Sequence, residues 1–205
     1  MPDTEDTWPE PLYSVGPAKH LHAIGVVSAS FNAFEESMFH LFAFHLGRAK
    51  LPDELIKLTY FQYDDARRLK AIRAVFDEYE SEPVVIERVS ELIEYFDWAS
   101  DARNKLLHAQ PYPSPYAKMS GRLHLAKRAS KRDPTLLYIS PDLATLRDVA
   151  DKINWGKIAC AGVVIYLRYG RESKPWSLSP YTLPGTLARP EALELEPLPY
   201  NSPTP

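Results

Sequence analysis

The 205-residue chain has a single cysteine, Cys160. One thiol closes no disulfide, so a cross-linked scaffold is excluded, and the apolar helical pattern around Cys160 marks a buried structural thiol rather than a nucleophile. Long hydrophobic runs are also missing. The longest, Ile158 to Leu167, is ten residues, about half of what a membrane-spanning helix needs. The opening MPDTEDTWPE is acidic and lacks the apolar centre of a secretory signal. A cytoplasmic protein with no membrane partner is expected. Glycine is scarce at eight residues, and neither a Gly-rich phosphate loop nor a Gly-x-Ser-x-Gly elbow occurs. The common nucleotide-loop and serine-hydrolase classes are thereby removed. Cys-x-x-Cys and His-Glu-x-x-His are absent too. His20 and His22, and likewise His40 and His45, have no zinc-ligand spacing. No metal and no other cofactor is expected, and His40 reads instead as the local partner of Glu36, one helical turn earlier.

Proline, by contrast, is abundant, with nineteen residues concentrated at the ends: four in Met1–Pro17 and eight in Pro175–Pro205. Both ends read as irregular segments, an arm over 1–17 and a Pro-rich tail over 171–205 that either wraps the domain or stays mobile. Between them, residues 18–170 form one domain, a size that supports a single core. Net charge is −3, but the acids of the arm and tail account for the deficit and leave the core slightly basic. Lys118, Arg122, Lys127, Arg128, Lys131 and Arg132 form a block with no acid before Asp133. They are candidate RNA contacts through phosphate, or else a solvated hairpin.

The periodicity is helical nearly throughout. Leu21, Ile24, Phe31, Phe34, Met38, Leu41 and Phe42 stripe a first helix ending at Gly47. A short helix follows Pro52. A third, capped by Tyr63-Asp64-Asp65, has Ala66, Leu69, Ile72, Phe76 and Tyr79 inward and Arg67, Arg68, Lys70 and Arg73 outward. After the extended link Pro111–Tyr116, the runs Arg122–Ala126 and Leu136–Ile139 predict a small antiparallel hairpin over about 119–140. Ser140-Pro141-Asp142 reads as a helix start with a hydroxyl cap. The long stripe Leu143, Leu146, Ala150, Ile153, Cys160, Val164 and Leu167 follows, with Gly156 and Gly162 suited to close helix approach. The predicted fold is all-α: a bundle of about four to five helices with an inserted β-hairpin and irregular termini.

The most informative stretch is Val84–Gln110. Val85, Val89, Leu92, Phe96, Ala99, Arg103 and Leu106 recur at alternating steps of four and three, the spacing of a buried helical stripe. Arg103 is the misfit, a permanent cation on the face that enters the core. Beside it runs a polar row, Asp97, Ser100, Asn104 and His108. An inward guanidinium requires partners. Either an internal carboxylate such as Asp97 or Glu35 supplies one, or the stripe opens on a polar cleft where Arg103 and His108 meet an anion.

Arg103-Asn104-Lys105-Leu106-Leu107-His108, near the end of a long helix, resembles the Arg-x(4–6)-His signature of the HEPN superfamily, including the polar residue directly after the arginine. The helical layout over about residues 20–169 is similar as well. Many members carry Gly and an aromatic after the histidine, where this chain has Ala109-Gln110-Pro111-Tyr112. The chemistry needs no metal, because RNA brings its own nucleophile, the 2′-hydroxyl. His108 would exchange protons with that hydroxyl or with the leaving 5′-oxygen. Arg103 would hold the non-bridging oxygens as charge builds. Asn104 would orient His108 or contact phosphate, with Glu35 and Asp97 as candidate supports. Acid and base catalysis want two groups, which a two-fold dimer supplies. The resemblance implies the same homodimer, with both motifs at its interface. It also implies a role in toxin–antitoxin or antiviral systems, with an antitoxin or regulatory protein as partner. Two other readings stand beside this one: a non-catalytic dimeric module that binds nucleotide, RNA or protein, and a structural dimer in which Arg103 is internally paired.

Overall fold

The computed structural model describes residues 17–111, 123–128, 136–170 and 181–194. It is a bundle of five helices with a small sheet inserted before the last. The helices are α1 (Ala18–Arg48), α2 (Asp53–Phe61), α3 (Asp65–Tyr79), α4 (Pro83–Leu107) and α5 (Leu143–Ile165), the last continued by a π-helical turn, Tyr166–Gly170. Their boundaries follow local chemistry. Pro83 opens α4 at a position where its missing N–H costs nothing. Asp64 caps α3 by accepting from the Arg67 N–H at 2.9 Å. At α5 the cap is Asp142, which accepts from the Thr145 N–H at 2.7 Å. The expected Ser140 cap is therefore displaced by two residues, since a carboxylate at the helix mouth outcompetes a hydroxyl.

Successive helices alternate in direction, so α1 and α5 end up side by side and parallel. Phe34 meets Gly156, and one turn later the Met38 and Cys160 sulfurs are 3.7 Å apart. Helix α4 runs antiparallel to both. Phe96 packs on Phe31 and Phe34 of α1 with ring centres 5.2 and 5.0 Å apart. The Tyr95 hydroxyl donates to the Lys152 carbonyl of α5 at 2.8 Å. All six apolar members of the α4 stripe are buried. Burial pushes the Tyr95 phenol up to about 12, with Asp148 adding to the effect, and pushes the Cys160 thiol up as well. Cys160 is thus an inert core residue.

Some expected inward positions face solvent: Leu21 on α1, and Ala66 and Tyr79 on α3. Each lies at the margin of a stripe broader than the surface its neighbours cover. Strands β1 (Gln110–Pro111), β2 (Leu125–Arg128) and β3 (Leu136–Ile139) form one antiparallel sheet in that order. The antiparallel pairing is as expected, but its first strand is Leu125–Arg128 rather than Arg122–Ala126, and β1 is an addition: the link after α4 begins as a strand, with Gln110 opposite Ala126.

Of the Pro-rich tail, residues 181–194 lie along α4 as an extended strap. Without helix or sheet, the strap's backbone groups need side-chain partners, and α4 provides them. Trp98 Nε1 donates to the Glu191 carbonyl at 2.8 Å, Lys105 Nζ to that of Leu193 at 2.9 Å, and the Leu187 N–H donates to Glu91 at 2.8 Å. No helix among the described residues is long and apolar enough to cross a membrane.

A Cβ at Gly156 would lie 2.7 Å from the Tyr95 ring and 2.8 Å from that of Phe34. Both rings are buried between three helices and have nowhere to retreat. Gly156→Ala should therefore destabilise the fold by about 1–3 kcal/mol, measured by urea unfolding. Gly25→Ala, where nothing lies within 4 Å, should be neutral or mildly stabilising.

Candidate functional site

The motif occupies the last turns of α4, at the end of the bundle where α1 and α5 begin. Arg103 is half-buried at the edge of the stripe, its guanidinium carbon 5.3 Å from the centre of the Phe31 ring. Its Nη1 donates to Asn104 Oδ1 at 2.8 Å. Its Nε–H is buried and has no hydrogen-bond partner among the described residues. The internal ion pair expected for it is not formed: no carboxylate of the described residues reaches it. Glu35 is held by Arg68, and Asp97 by Arg189 of the strap at 3.0 Å. Neither candidate support touches Arg103.

Asn104 links the two ends of the motif. Its side chain holds Arg103, and its carbonyl accepts the His108 N–H at 3.3 Å. His108 is the C-cap residue, with φ −91° and ψ 0°, and its ring is exposed. The helix stops there because Pro111 lies three residues on and the chain turns into β1. The expected polar row is divided by the structure. Asp97 is exposed and tied to the strap, Ser100 is only 8% exposed, and His108 faces solvent.

Ser100 leads to residues that periodicity did not bring together. Its hydroxyl donates to Asp65 Oδ2 of α3 at 2.6 Å, and Asn104 Nδ2 donates to Ser100 Oγ at 3.5 Å. Asp65 Oδ1 lies 3.4 Å from Arg68 Nη1, which also pairs with Glu35, while Arg68 Nε donates to the Tyr60 carbonyl at 3.1 Å. Arg68 is therefore not an outward residue of α3. It turns in over the Tyr60 and Phe61 rings, at 5.2 and 5.7 Å, to meet Glu35. The available signal was the doubled acid Asp64-Asp65: one caps α3, which leaves the other for a tertiary role.

Sequence periodicity also missed the most buried arginine of α4. Arg88 is 6% exposed and pairs with Glu91 one turn away. Of the basic block, Lys127 is half-buried on β2 and Arg128 continues that strand. Lys118, Arg122, Lys131 and Arg132 lie outside the described residues. Glu36 and His40 form the local pair expected for them, at 3.4 Å. No group of three or more His, Cys, Asp or Glu among the described residues is placed to hold a metal. Two open grooves, of about 540 Å³ between the starts of α1 and α5 and about 470 Å³ between α1, α2 and the π turn, include neither Arg103 nor His108 among their described lining residues.

Compared with known proteins, the chain matches no family model, no curated protein and no solved structure.

With no carboxylate to strand, Arg103→Ala should lower stability by only about 1–2 kcal/mol, since it removes one cation–ring interaction and one hydrogen bond. Breaking a buried ion pair would cost ~3–5 kcal/mol. Arg88→Ala should cost more than Arg103→Ala, because it takes the guanidinium from a half-buried carboxylate, Glu91, that then keeps the Leu187 N–H. Chemical denaturation of the two variants side by side checks the contrast.

Proposed function

We propose that the protein is a metal-independent endoribonuclease of the HEPN type, acting as a homodimer in the cytoplasm. The observation that carries this reading is Arg103. It is a cation on an inner stripe with, among the described residues, no carboxylate partner and a buried Nε–H left over, beside an exposed histidine on the same last turns. Buried donors are normally satisfied, and a phosphate oxygen is the acceptor a guanidinium fits best. In this reading Arg103 receives the non-bridging oxygens of the scissile phosphate. His108, free to reorient at the helix end, carries the proton of the 2′-hydroxyl or of the leaving 5′-oxygen. The P–O bond to the 5′-oxygen breaks as the 2′-oxygen bond forms, leaving a 2′,3′-cyclic phosphate and a 5′-hydroxyl.

The charge on α4 restricts how substrate and partner subunit approach. Its solvent side carries Glu87, Glu94, Asp97 and Asp101, all exposed. Asp97 and Asp101 are paired with Arg189 and Lys105, which leaves Glu87 and Glu94 toward the start of the helix to repel a second copy and an RNA backbone. In the proposed dimer the motif helices therefore meet near their C-terminal ends, and RNA enters from there. Lys127, Arg128 and their neighbours in the block add phosphate contacts. The toxin or antiviral role, with an antitoxin or regulatory protein as partner, is the setting such an enzyme would occupy.

His108→Ala should abolish RNA cleavage with little loss of stability, since the ring is exposed and opens no cavity. EDTA should leave the wild-type rate unchanged. Cleavage persisting in His108→Ala would end this proposal. Light scattering should give a dimer at tens of micromolar, roughly the range where a functional dimer is populated. Replacing Lys127, Arg128, Lys131 and Arg132 with Ser should flatten the dependence of RNA affinity on salt, by about one unit of log–log slope for each phosphate that is no longer neutralised.

A further inference from the structure

We infer that Asp65, on a different helix from the motif, is a positioning residue that sets the polarity of a hydrogen-bond relay holding the Arg103 guanidinium. The inference rests on the reading of Arg103 as the phosphate-holding group. The relay runs Asp65 Oδ2, Ser100 Oγ, Asn104 side chain, Arg103 Nη1, with links of 2.6, 3.5 and 2.8 Å.

Each link dictates the next. An ionised carboxylate only accepts, so the single Ser100 O–H is committed to Asp65. Ser100 Oγ then has only lone pairs to offer Asn104, which must turn its NH₂ toward the serine. That leaves Asn104 Oδ1 for Arg103, a guanidinium that only donates. If the amide were reversed, NH₂ would face the guanidinium, donor against donor, and Arg103 would be displaced. The charge at the head of the relay has support on two sides. Asp65 lies in the first turn of α3, where a negative charge is favoured, and Arg68 sits 3.4 Å away. Ser100 is 8% exposed, so water competes little for the central link. Asn104 also receives the His108 N–H on its carbonyl. The same residue that orients the arginine thus closes the turn carrying the histidine.

Asp65→Asn tests this with almost no change of shape. The new amide can donate to Ser100, which frees the serine O–H to donate to Asn104 Oδ1 and reverses the relay. The expected result is a fall in kcat of about 10- to 100-fold, the scale of losing a group that orients a functional residue and smaller than the ~10²–10³-fold of a removed transition-state donor, with melting close to wild type. Ser100→Ala should show a similar loss, Ser100→Thr should restore most activity, and the double variant Asp65→Asn/Ser100→Ala should be no worse than either single one. A second readout does not depend on cleavage: the Nη resonances of Arg103 in nitrogen-15 spectra, identified by their loss in Arg103→Lys, should shift in Asp65→Asn and Ser100→Ala but not in Ser100→Thr. If the wild type cleaves RNA and Asp65→Asn matches it with Arg103 resonances unmoved, the relay is overturned and the ribonuclease reading stands. If the wild type cleaves no RNA, the ribonuclease reading falls and the resonances alone decide: unmoved in Asp65→Asn they overturn the relay, shifted they support it.

Discussion

The close approach of three helices at Gly156 sets where α4, and with it the motif, sits against α1 and α5. The hydrogen of this residue is all that separates the α5 backbone from the rings of Tyr95 and Phe34. Three helices meet there, and with the hydrogen bond from Tyr95 to the Lys152 backbone they set the depth and rotation of α4. Everything C-terminal to Tyr95 on that helix inherits the setting. Phe96 stacks between Phe31 and Phe34, and two turns later the rotation lays Arg103 across Phe31. A looser fit at Gly156 would not simply soften the core. It would rotate the arginine away from the ring that supports it and away from the rest of the site.

The treatment of charge explains why Arg103 stands apart. The other inward arginines are matched to carboxylates inside the bundle, Arg68 by Glu35 and Arg88 by Glu91, although Arg88 too keeps a buried Nε–H without a partner among the described residues, and the buried His45 ring lies 3.2 Å from Glu80. In each case the partner lies on a neighbouring helix, the adjoining turn or the connection between elements, and the pair removes most of the desolvation cost. Arg103 is supported by an amide and an aromatic face, neither of which neutralises it. Such an arrangement holds a guanidinium in place while keeping its charge available.

The long-period features were legible in the sequence because burial is periodic. The stripes of α1, α4 and α5 are mostly buried at the positions their spacing indicated, and the alternation over Arg122–Ala126 and the run Leu136–Ile139 indicated an antiparallel pair whose first strand lies a few residues later, at Leu125–Arg128. What was not legible depends on rotation between helices rather than within one. Arg68 reads as outward from the α3 stripe alone, and only the proximity of Glu35 turns it in. Ser100 and Asp65 are 35 residues apart, and no periodicity links them. Leu21 and Tyr79 fit their stripes by spacing yet are exposed, because the stripe is broader than the surface its neighbours cover. The strap over 181–194 has no helical or strand period because it is extended and irregular: its backbone meets α4 side chains, and single residues such as Leu187 enter the core at no fixed spacing.

The strap and the acidic face of α4 together confine access to the motif. Arg189 covers Asp97, and the Lys105 ammonium is shared between Asp101 and the Leu193 carbonyl. One side of the motif helix is therefore occupied by the chain's own tail up to two residues beyond Arg103. The opposite side is packed against α1 and α3 through Phe31 and Asp65. What remains open is the helix end, where His108 is exposed and the chain turns into the sheet. Within one turn and a half, the arginine is held from the side by Asn104 and the Phe31 ring, whereas the histidine is held among the described residues by its backbone alone.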